Sequence, residues 1–577
     1  YKHEIHANEI VLLAYYIAAI NIEAVYHSTV GGRYVPFEGI CLTDTFQMYE
    51  KDDLVDAMLV DNSARRKRQK KLDIRVIMGN PPYSVGQENA NDNNQNVAYP
   101  HLDERIRRTY AERSSATNKN ALYDSYIRGI RWASDRIGDS GVIGFVTNAN
   151  FLETGTFGGL RQCLADEFAS IYVFHLRGNQ RTSGEQSRRE GGKIFGSGSR
   201  APIAISLLVK NPKAQQQGQI HFFDIGDYLS REEKLGKIQA LVSIAGIGAD
   251  QAWQRITPDQ HGDWLRQRDE SFTQFIVLGD KDDKDTVKLF DSYSAGVKSQ
   301  RDAWCWNASR LELAANMTKT ILAFNSESAR FEQAFPKADR RALEERVDSF
   351  VTDDPGLISW TRALKQDVVR RRKFAFDAGC LTSAIYRPYT KQWLYFNRRF
   401  NEMVYRMPSI FPDADARNLV ICMNAVGAQK EFSVLMSDHL PDLHLMQTGQ
   451  CFPLYLYEDT APKPDAVEEG ANGALFETGT EPVQPANRIR RDALTDAGLA
   501  HFQTAYPGEA ITKEDVFYYV YGLLHSPGYR ERYADNLSKE LPRIPCVKKA
   551  ADFWGFSKAG RDLADLHIRA MTAPGAA

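Results

Sequence analysis

Four residues whose types suit the binding of an amino group follow an apolar run near the start of the sequence. Asn80, Pro81, Pro82 and Tyr83 come directly after the run "VIMG". An asparagine amide oxygen and a backbone carbonyl both accept hydrogen bonds without being basic, which suits an amine whose two hydrogens must both be accepted. Two successive prolines hold the backbone extended and remove two donors, so the carbonyls of Asn80 and Pro81 can face a ligand.

The amino group N6 of adenine fits this pair of acceptors. Its lone pair is delocalised into the ring, and binding of both hydrogens favours the pyramidal geometry in which that lone pair can attack. Tyr83 offers a flat face on which an extruded base can stack. A strand followed by a proline-stiffened turn is the alternative interpretation, and these four residues alone leave it open.

The elements that must position these residues follow an alternating β and α pattern from residue 1 to 225. The pattern predicts strands at 4–9, 39–43, 74–78, 141–147, 171–175 and 202–209, and helices at 10–27 and 123–137. The strands carry few charges, which predicts an α/β sheet whose strands are buried on both faces. Ligands of such sheets bind beyond the carboxyl ends of the strands, where Asn80 lies. The apolar run 10–20 is too short to cross a bilayer, which takes about 20 residues, and is predicted to be a buried helix.

The remainder of the chain divides by composition. Residues 226–280 are predicted to form a helical connector, and residues 281–577 a mixed α+β domain with a helical carboxyl-terminal part. Residues 458–487 combine proline, glycine and acidic residues, which is typical of a flexible loop. Thr512 is predicted to cap the helix that follows it.

The overall charge and the cysteine pattern exclude several classes of protein. A net charge of −2 excludes a uniformly basic surface, so nucleic-acid binding would depend on local patches. The seven cysteines form no Cys-x-x-Cys pair, and the twelve histidines form no ligand pattern, so we predict no metal site. This cysteine usage and the absence of a secretory signal predict a reducing, cytoplasmic environment and no membrane association.

Two basic clusters interleaved with aromatic residues are candidates for DNA contacts. They are "RRRKFAF" at 370–376 and "YRPYTKQWLYFNRRFNEMVYR" at 386–406. Arginine and lysine give phosphate contacts and reach guanine edges, and aromatic rings can stack on bases or wedge between them. A solvated basic face over an aromatic core is the alternative. The candidate DNA-binding residues are Arg370, Arg371, Arg372, Lys373, Arg387, Lys391, Arg398 and Arg399.

The Asn-Pro-Pro-Tyr sequence resembles the hallmark of the amino-group DNA methyltransferases, which use S-adenosylmethionine. The resemblance implies that Asn80 and Pro81 bind the target amine and that Tyr83 stacks on the flipped base. It further implies that Glu9 binds the cofactor ribose, that Ile10 packs on the cofactor adenine, and that Asp44 lies near that adenine with Thr45 beside it. Phe195, in "KIFGSGSRAPIAISLLVK", would pack on the opposite face of the flipped base. Acidic residues at strand ends also cap helices, which is the alternative for Glu9 and Asp44.

One part of the family pattern is missing from the sequence. A cofactor site of this type needs a glycine-rich turn after the first strand, roughly 20 residues before the ribose-binding acid. Only eight residues precede Glu9, and no glycine pair downstream has the required context. We therefore expect a Rossmann-like methyltransferase sheet that lacks its first strand and glycine loop, and a chain that is inactive by itself.

Across nearly all of its length the sequence resembles the carboxyl-terminal half of Type ISP restriction-modification enzymes. This resemblance implies methylation of adenine N6 in a specific DNA sequence, with residues 281–577 as the target-recognition domain. It implies double-stranded DNA as partner, with nuclease and helicase-like motor domains upstream in the same polypeptide that would use ATP and magnesium. We expect a monomer in the bacterial cytoplasm.

Two further functions stay open from the sequence. The missing glycine loop is compatible with a catalytically incomplete module that only binds specific DNA. Methyltransferases of proteins or RNA also use Asn-Pro-Pro-Tyr, although the basic and aromatic residues after 280 argue against them.

Overall fold

The computed structural model describes nine stretches of the chain, which form two units. The described residues are 1–47, 60–82, 98–116, 118–195, 200–249, 252–336, 338–428, 431–459 and 488–572. The first unit spans Tyr1–Gln267 and the second Arg268–Ala577. The division lies inside the segment 226–280 that the sequence analysis assigns to a connector, and the loop 458–487 lies outside the described residues from 460 onward.

The first unit contains a two-stranded and a six-stranded sheet. Its strands are β1 (Ala7–Glu9), β2 (Ile40–Leu42), β3 (Val76–Gly79), β4 (Gly141–Asn148), β5 (Ser170–Arg177), β6 (Ile203–Lys210), β7 (Gln219–Asp224) and β8 (Gln254–Ile256). Strands β1 and β2 pair in parallel. The larger sheet has the order β3-β4-β6-β5-β7-β8, in which β3, β4, β5 and β7 run parallel and β6 and β8 run antiparallel to them. The α/β class is confirmed, with a mixed sheet.

Helices cover the larger sheet. The helices of the first unit are α1 (Leu12–Val30), α2 (Val60–Lys70), α3 (Pro100–Ile106), α4 (Ser125–Arg136), α5 (Gly158–Glu167), α6 (Gly184–Glu190), α7 (Arg231–Leu241) and α8 (Ile244–Ala249). Apolar side chains of α4 such as Ile127 and Ile130 recur at helical spacing and pack with Ile143 of β4 and Ile171 of β5 in one core. The buried Arg161 of α5 donates to Asp263 at 2.5 Å, which fastens residues after β8 to this unit.

Helix α1 and strand β3 depart from the sequence expectation. The prediction of a buried helix at residues 10–20 is wrong, because α1 has no buried residue and Leu13 is 70% exposed. Strand β3 is open on one side, with Val76 65% and Met78 81% exposed. The physical reason is that α1 packs mainly against β1 and β2, and two three-residue strands are too small to cover it.

The second unit contains two four-stranded sheets and two short ribbons. Its strands are β9 (Ile276–Val277), β10 (Ser294–Ala295), β11 (Trp306–Asn307), β12 (Leu381–Arg387), β13 (Thr390–Tyr395), β14 (Val420–Met423), β15 (Val434–Ser437), β16 (Leu440–Pro441), β17 (Gln450–Pro453), β18 (Tyr455–Asp459), β19 (Arg488–Asp492) and β20 (Arg543–Ile544). One sheet has the order β10-β17-β14-β15 and the other β11-β13-β12-β16. The ribbons pair β18 with β19 and β20 with β9.

Helices complete the core of the second unit. They are α9 (Asp302–Cys305), α10 (Arg310–Ala334), α11 (Arg340–Phe350), α12 (Arg362–Val369), α13 (Asp496–Ala505), α14 (Lys513–Leu524), α15 (Pro527–Arg532), α16 (Ala534–Lys539) and α17 (Ala550–Thr572). The predicted cap at Thr512 is confirmed, because Thr512 and Asp515 form a reciprocal capping box at the start of α14. Among the helices described in both units, none combines the length and apolarity needed to cross a membrane.

Candidate active site

The carboxyl edge of the six-stranded sheet brings several predicted residues to one side of the first unit. The parallel strands β3, β4, β5 and β7 all end at this edge. Ile203, the first residue of the antiparallel β6, lies opposite Asn148 and Arg177 and so begins at the same edge. Asn80 leaves β3 here, and the segment that contains Phe195 enters here eight residues before Ile203.

Pro81, the first of the two prolines after Asn80, packs against helix α4. A Cβ added at Gly129 of α4 would lie 3.1 Å from Pro81 Cβ, which is tighter than an ordinary contact, so Pro81 packs directly against the helix at its glycine. Gly79 pairs with Phe145 of β4, which also borders Gly129. Asn80 and Pro82 are exposed. The structure therefore presents Asn80 at the strand end, and Tyr83 lies outside the described residues.

Glu9 lies at the end of β1 and accepts two backbone hydrogen bonds. Its Oε1 accepts from the N–H groups of Ile10 at 2.9 Å and Val11 at 3.0 Å, which satisfies free donors at the start of α1. Ile10 is 61% exposed beside it. In this structure Glu9 thus fixes the turn that leads into α1, whose N-cap residue Val11 makes no side-chain cap, and the ribose-binding role of Glu9 stays a prediction.

Asp44 follows β2, and both of its oxygens are engaged. Oδ1 accepts from the backbone N–H of Phe46 at 2.9 Å, and Oδ2 accepts from the hydroxyl of Tyr99 at 2.8 Å. A backbone hydrogen bond from Thr43 N–H to Glu9 O, 2.8 Å long, joins the ends of β1 and β2. The structure therefore brings Glu9, Asp44 and the half-buried Thr45 together at the end of the two-stranded sheet.

Tyr99 is a residue that sequence reasoning missed. Burial, together with the nearby Asp44 carboxylate, raises its pKa above the usual range, so its hydroxyl remains a donor to Asp44. The ring packs edge-on against Phe46 at 5.3 Å and lies 5.2 Å from the Arg128 guanidinium, which in turn binds both oxygens of Asp103. Sequence spacing gives no signal for this contact, because 55 residues separate Asp44 from Tyr99.

Phe195 lies at the end of a tightly held segment. The fully buried Lys234 donates from Nζ to the carbonyl of Glu190 at 2.7 Å and of Gly192 at 2.8 Å, and Arg231 donates to Ile194 O at 2.8 Å. Burial lowers the pKa of Lys234 to about 8. Phe195 packs against an apolar cluster that includes Phe174 and Ile203.

The glycine pair 191–192 has a packing role in that segment. Gly191 has φ +65°, and a Cβ on it would overlap the carbonyl oxygen of Leu229. Gly192 lies equally close to the backbone of Arg231 at the start of α7. The pair therefore allows the segment before Phe195 to lie against the start of that helix.

Three charged residues link the ends of β5 and β7. Arg177 donates from Nε to Asp224 Oδ1 at 2.7 Å and also pairs with Asp227, and His175 Nδ1 lies 3.3 Å from Asp224 Oδ2. Burial opposes ionisation of Asp224, but the hydrogen bonds from His175 and Arg177 outweigh it and hold the pKa of Asp224 at about 2. The network fixes the strand ends from which the segment toward Phe195 departs.

The predicted DNA-binding residues of the second unit fall into two groups. Arg371 donates to two backbone carbonyls, Arg372 and Arg399 lie 3.0 and 3.7 Å from Asp367, and Arg387 donates to Asp442 at 2.5 Å. Arg370, Lys373 and Arg398 are exposed and have no ion pair within the described part of the chain, and Lys391 is half-buried near Asp438. The first group is occupied inside the protein, and DNA contacts by the second group stay a prediction.

Comparison with known proteins identifies the second unit. Residues 288–576 match the Type ISP C-terminal specificity domain. No curated protein sequence gave a significant match to the chain.

Three solved structures resemble nearly the whole chain. A nuclease-deletion mutant of the Type ISP restriction-modification enzyme LlaGI, in complex with a DNA substrate mimic, is 40% identical over 98% of this chain, with a TM-score of 0.80. The ATP-dependent Type ISP enzyme LlaBIII bound to DNA is 38% identical over 98%, with a TM-score of 0.81, and the DrdV–DNA complex is 35% identical over 99%, with a TM-score of 0.81.

The alignments cover only part of each relative. This chain spans 41% of the LlaGI chain, 34% of the LlaBIII chain and 52% of the DrdV chain. The identity to LlaGI, over nearly all of this chain, and the match to the specificity domain agree with each other. The chain therefore belongs to the family of Type ISP restriction-modification enzymes.

Proposed function

We propose that this chain is the modification and specificity part of a Type ISP enzyme and methylates N6 of a flipped adenine in a specific DNA sequence. The observation that carries the proposal is the placement of Asn80, Pro81 and Pro82 at the carboxyl edge of the parallel strands, with Pro81 packed on Gly129. In this proposal the Asn80 amide oxygen and the Pro81 carbonyl supply the pair of acceptors that an exocyclic amine needs.

Positioning of the amine provides the catalysis in this proposal. Asn80 Oδ1 and the Pro81 carbonyl each accept one N6 hydrogen, which orients the nitrogen lone pair toward the methyl donor. Tyr83 and Phe195 stack on the two faces of the extruded adenine. S-adenosylmethionine supplies an electrophilic methyl group on a sulfonium, so neither a covalent intermediate on the protein nor a metal is needed for the transfer.

The described residues fit one part of the cofactor. Glu9 keeps Oε2 free of other described partners, beside the exposed Ile10, and could accept from ribose hydroxyls. Asp44 and Thr45 lie next to Glu9, although both Asp44 oxygens already accept hydrogen bonds from Phe46 and Tyr99. The described glycines form no phosphate-binding or cofactor-binding turn at the ends of β1 or β3. The fit is therefore to the ribose and adenine, and not to the methionine part.

Open strand edges support an incomplete cofactor site. Strand β1 pairs only with β2 and strand β3 only with β4 among the described residues. Asn8 Oδ1 on β1 is buried and has no described hydrogen-bond partner, while α1, Val76 and Met78 expose apolar surface. We propose that an additional strand with a glycine turn, from the same polypeptide, binds beside β1 and β3, and that this chain alone does not methylate DNA. ATP and magnesium would serve only upstream motor and nuclease domains.

Double-stranded DNA is the proposed partner of the second unit. The structures of the three relatives are complexes with DNA or, for LlaGI, with a DNA substrate mimic. The exposed Arg370, Lys373 and Arg398 have no ion pair among the described residues, so they can contact phosphates without first breaking one.

Methyl transfer by the extended polypeptide tests the catalytic assignment. Incorporation of tritiated methyl groups into DNA would be compared between the wild type and Asn80→Ala in a polypeptide that restores the upstream segment. We expect a loss of about a hundredfold, because the amine is no longer positioned. Asn118→Ala is the matched control, since Asn118 is exposed in the same unit and among the described residues accepts only from the backbone N–H of Asn120. Equal transfer by Asn80→Ala would contradict the assignment.

A catalytically incomplete DNA-binding module is the second candidate function, and the open edges of β1 and β3 favour it. Calorimetric titration of this chain with S-adenosylmethionine tests the incomplete site, for which we expect no measurable binding. Clear micromolar binding would show that the site is complete without a further strand. Absence of methyl transfer by the extended polypeptide, with DNA binding retained, would favour the second candidate.

A further inference from the structure

Four loops of the second unit meet at one edge of its two larger sheets. Strands β12 and β16 are parallel and end together, and β13 begins at the same edge after the turn at Pro388 and Tyr389. Residues 442–449 connect β16 to β17, whose first residue Gln450 pairs with the last residue of β10, so the connection 296–301 leaves from this edge as well. Residues 402–406 join it through two backbone hydrogen bonds between Lys298 and Met403. We call the loops 296–301, 388–389, 402–406 and 442–449 the loop edge.

The backbone of the loop edge is strained in a way that favours glycine, yet it carries other residues. Five of its residues have positive φ, namely Gln300 (55°), Tyr389 (61°), Tyr405 (47°), Gln447 (52°) and Thr448 (56°). They are five of the six non-glycine residues with positive φ in the described part of the second unit. This backbone conformation is strained for a residue with a side chain, and glycine would avoid the strain. Side chains kept at these positions indicate that the side chains themselves have a use.

Ion pairs and hydrogen bonds hold the loops against each other. Arg387 donates to Asp442 Oδ1 at 2.5 Å, and Asp442 also accepts from the backbone N–H of His444 at 2.8 Å. The hydroxyl of Tyr386 donates to Asp302 Oδ2 at 2.9 Å, and Ser299 pairs with the other Asp302 oxygen. Arg387, at the end of β12, thus connects loop 442–449 to the turn at 388–389, and its contact with DNA stays a prediction. These contacts tie the loops of the loop edge to one another.

The side chains on this scaffold are suited to reading bases. Gln300 is exposed and Gln447 half-buried, and a glutamine amide can bind the N6 and N7 atoms of adenine in the major groove. Tyr389 and Tyr405, which lie between the two glutamines in sequence, are also exposed. Arg406, next to Tyr405, is exposed and donates to Ser292 Oγ at 2.9 Å. Hydrogen bonds to phosphates carry no sequence information, whereas hydrogen bonds to base edges do. Glutamine side chains held at fixed positions are therefore better suited to base edges.

Buried polar atoms without partners concentrate in and next to the same loops. Within the described second unit, seven buried side-chain nitrogen and oxygen atoms have no hydrogen-bond partner, and five of them belong to Arg301, Asn401, Glu402 and Gln450. Unpaired buried polar groups are costly and are usually completed by water or a bound partner. These atoms are themselves enclosed by protein, so they are not proposed DNA contacts; they show that the interior of the loop edge is polar.

We propose that the loop edge reads base edges in the major groove of duplex DNA and that Gln300 and Gln447 are specificity-determining residues. This inference rests on the proposed function in one respect, namely that the second unit binds specific DNA. It does not depend on methyl transfer or on the cofactor.

Selection from a random duplex pool tests the inference with the full 577-residue chain. Bound DNA is sequenced at one fixed salt concentration for the wild type, Gln300→Ala, Gln447→Ala, Gln447→Gly and Gln274→Ala. Glycine at 447 keeps the left-handed backbone and removes only the side chain, so it separates reading from loop folding. Gln274 is exposed outside the loop edge and is the matched control.

We expect the wild type to enrich one motif. Each loop-edge variant should lose discrimination by about tenfold to a hundredfold at one base-pair position and keep the others, while Gln274→Ala keeps the whole motif. A motif unchanged in both Gln300→Ala and Gln447→Gly would overturn this inference alone, as would an equal loss of affinity for all sequences. A wild-type chain that selects no sequence would overturn the proposed DNA specificity together with this inference.

Discussion

Helices α1 and α14 are both rich in large apolar residues, yet their surroundings are opposite. Helix α1 has no buried residue along its 19 positions, whereas nine consecutive residues of α14, Val516 to Leu524, are buried. Apolar composition predicts helix burial only where other elements are available to cover it. The difference therefore reports on the neighbours of each helix rather than on the helices themselves.

The neighbours of α14 fit it closely. Gly522 of α14 and Gly560 of α17 let the two backbones approach, because a Cβ on either would overlap a carbonyl oxygen of the other helix. Tyr519 donates to Pro545 O at 2.7 Å, and Tyr521 accepts from Met436 N–H at 2.8 Å. Because each of these buried hydroxyl groups has a hydrogen-bond partner, it avoids the penalty that a buried group without a partner would carry.

The largest expected effect is on the packing of the buried helix α14, through a substitution at Gly560 of α17. Gly560→Ala places a methyl group against Tyr518 O, so α14 and α17 must separate, and we expect a loss of at least about 3 kcal/mol in unfolding free energy. Urea unfolding of the full chain, followed by tryptophan fluorescence, measures it. Gly555→Ala on the same helix meets no atom within 4 Å and should be neutral or stabilising by up to about 1 kcal/mol. Equal stability of the two variants would refute the close helix contact.

A smaller effect follows from removing an apolar side chain on the covered side. Leu524 is fully buried, so Leu524→Ala should cost about 2–5 kcal/mol through lost transfer energy and a residual cavity. The same urea unfolding experiment applies. A cost under about 1 kcal/mol would mean that the site collapses around the shorter side chain or that α14 is less covered than described.

Local patterns predicted the elements well but not their partners. Each of the six strands expected in the first unit is present within three residues of the expected start, and Thr512 caps α14 as expected. The exposure of α1, the antiparallel direction of β6 and the hydrogen bond from Tyr99 to Asp44 were not predictable. Each depends on residues that are far apart in sequence. Arg387 illustrates the same limit, since nothing in its local sequence indicates the ion pair with Asp442, 55 residues later.

Acid pH should lower the unfolding free energy through His525, which follows the buried helix α14. This half-buried histidine follows α14, its Nε2 has no described hydrogen-bond partner, and burial, with Arg530 and His567 nearby, lowers its pKa to about 4. Between pH 6.5 and 4 the unfolded chain therefore binds a proton that the folded chain does not, so stability falls as the pH falls through this window and is intact above it. Because His525 is partly exposed, we expect a loss of about 1–2 kcal/mol.

A near-isosteric substitution tests that acid dependence. His525→Phe removes the titrating group and should flatten the decline in unfolding free energy between pH 6.5 and 4. His444→Phe, an exposed histidine of the same unit, should keep the wild-type decline. An unchanged decline in His525→Phe would assign the acid sensitivity to other groups.

The smallest expected effect lies on the open side, at Leu13. Leu13→Gln keeps a good helix former at a position that is 70% exposed, so it should change the unfolding free energy of this chain by no more than about 0.5 kcal/mol. A loss of 2 kcal/mol would show that α1 is covered in solution. In the extended polypeptide the proposed strand and its connections would cover α1, and the same substitution should then cost about 2 kcal/mol, since a buried amide lacks a partner. A larger loss of unfolding free energy from Leu13→Gln in the extended polypeptide than in this chain would show that another element covers α1 there. An equal, small loss in both would show that α1 is exposed in both.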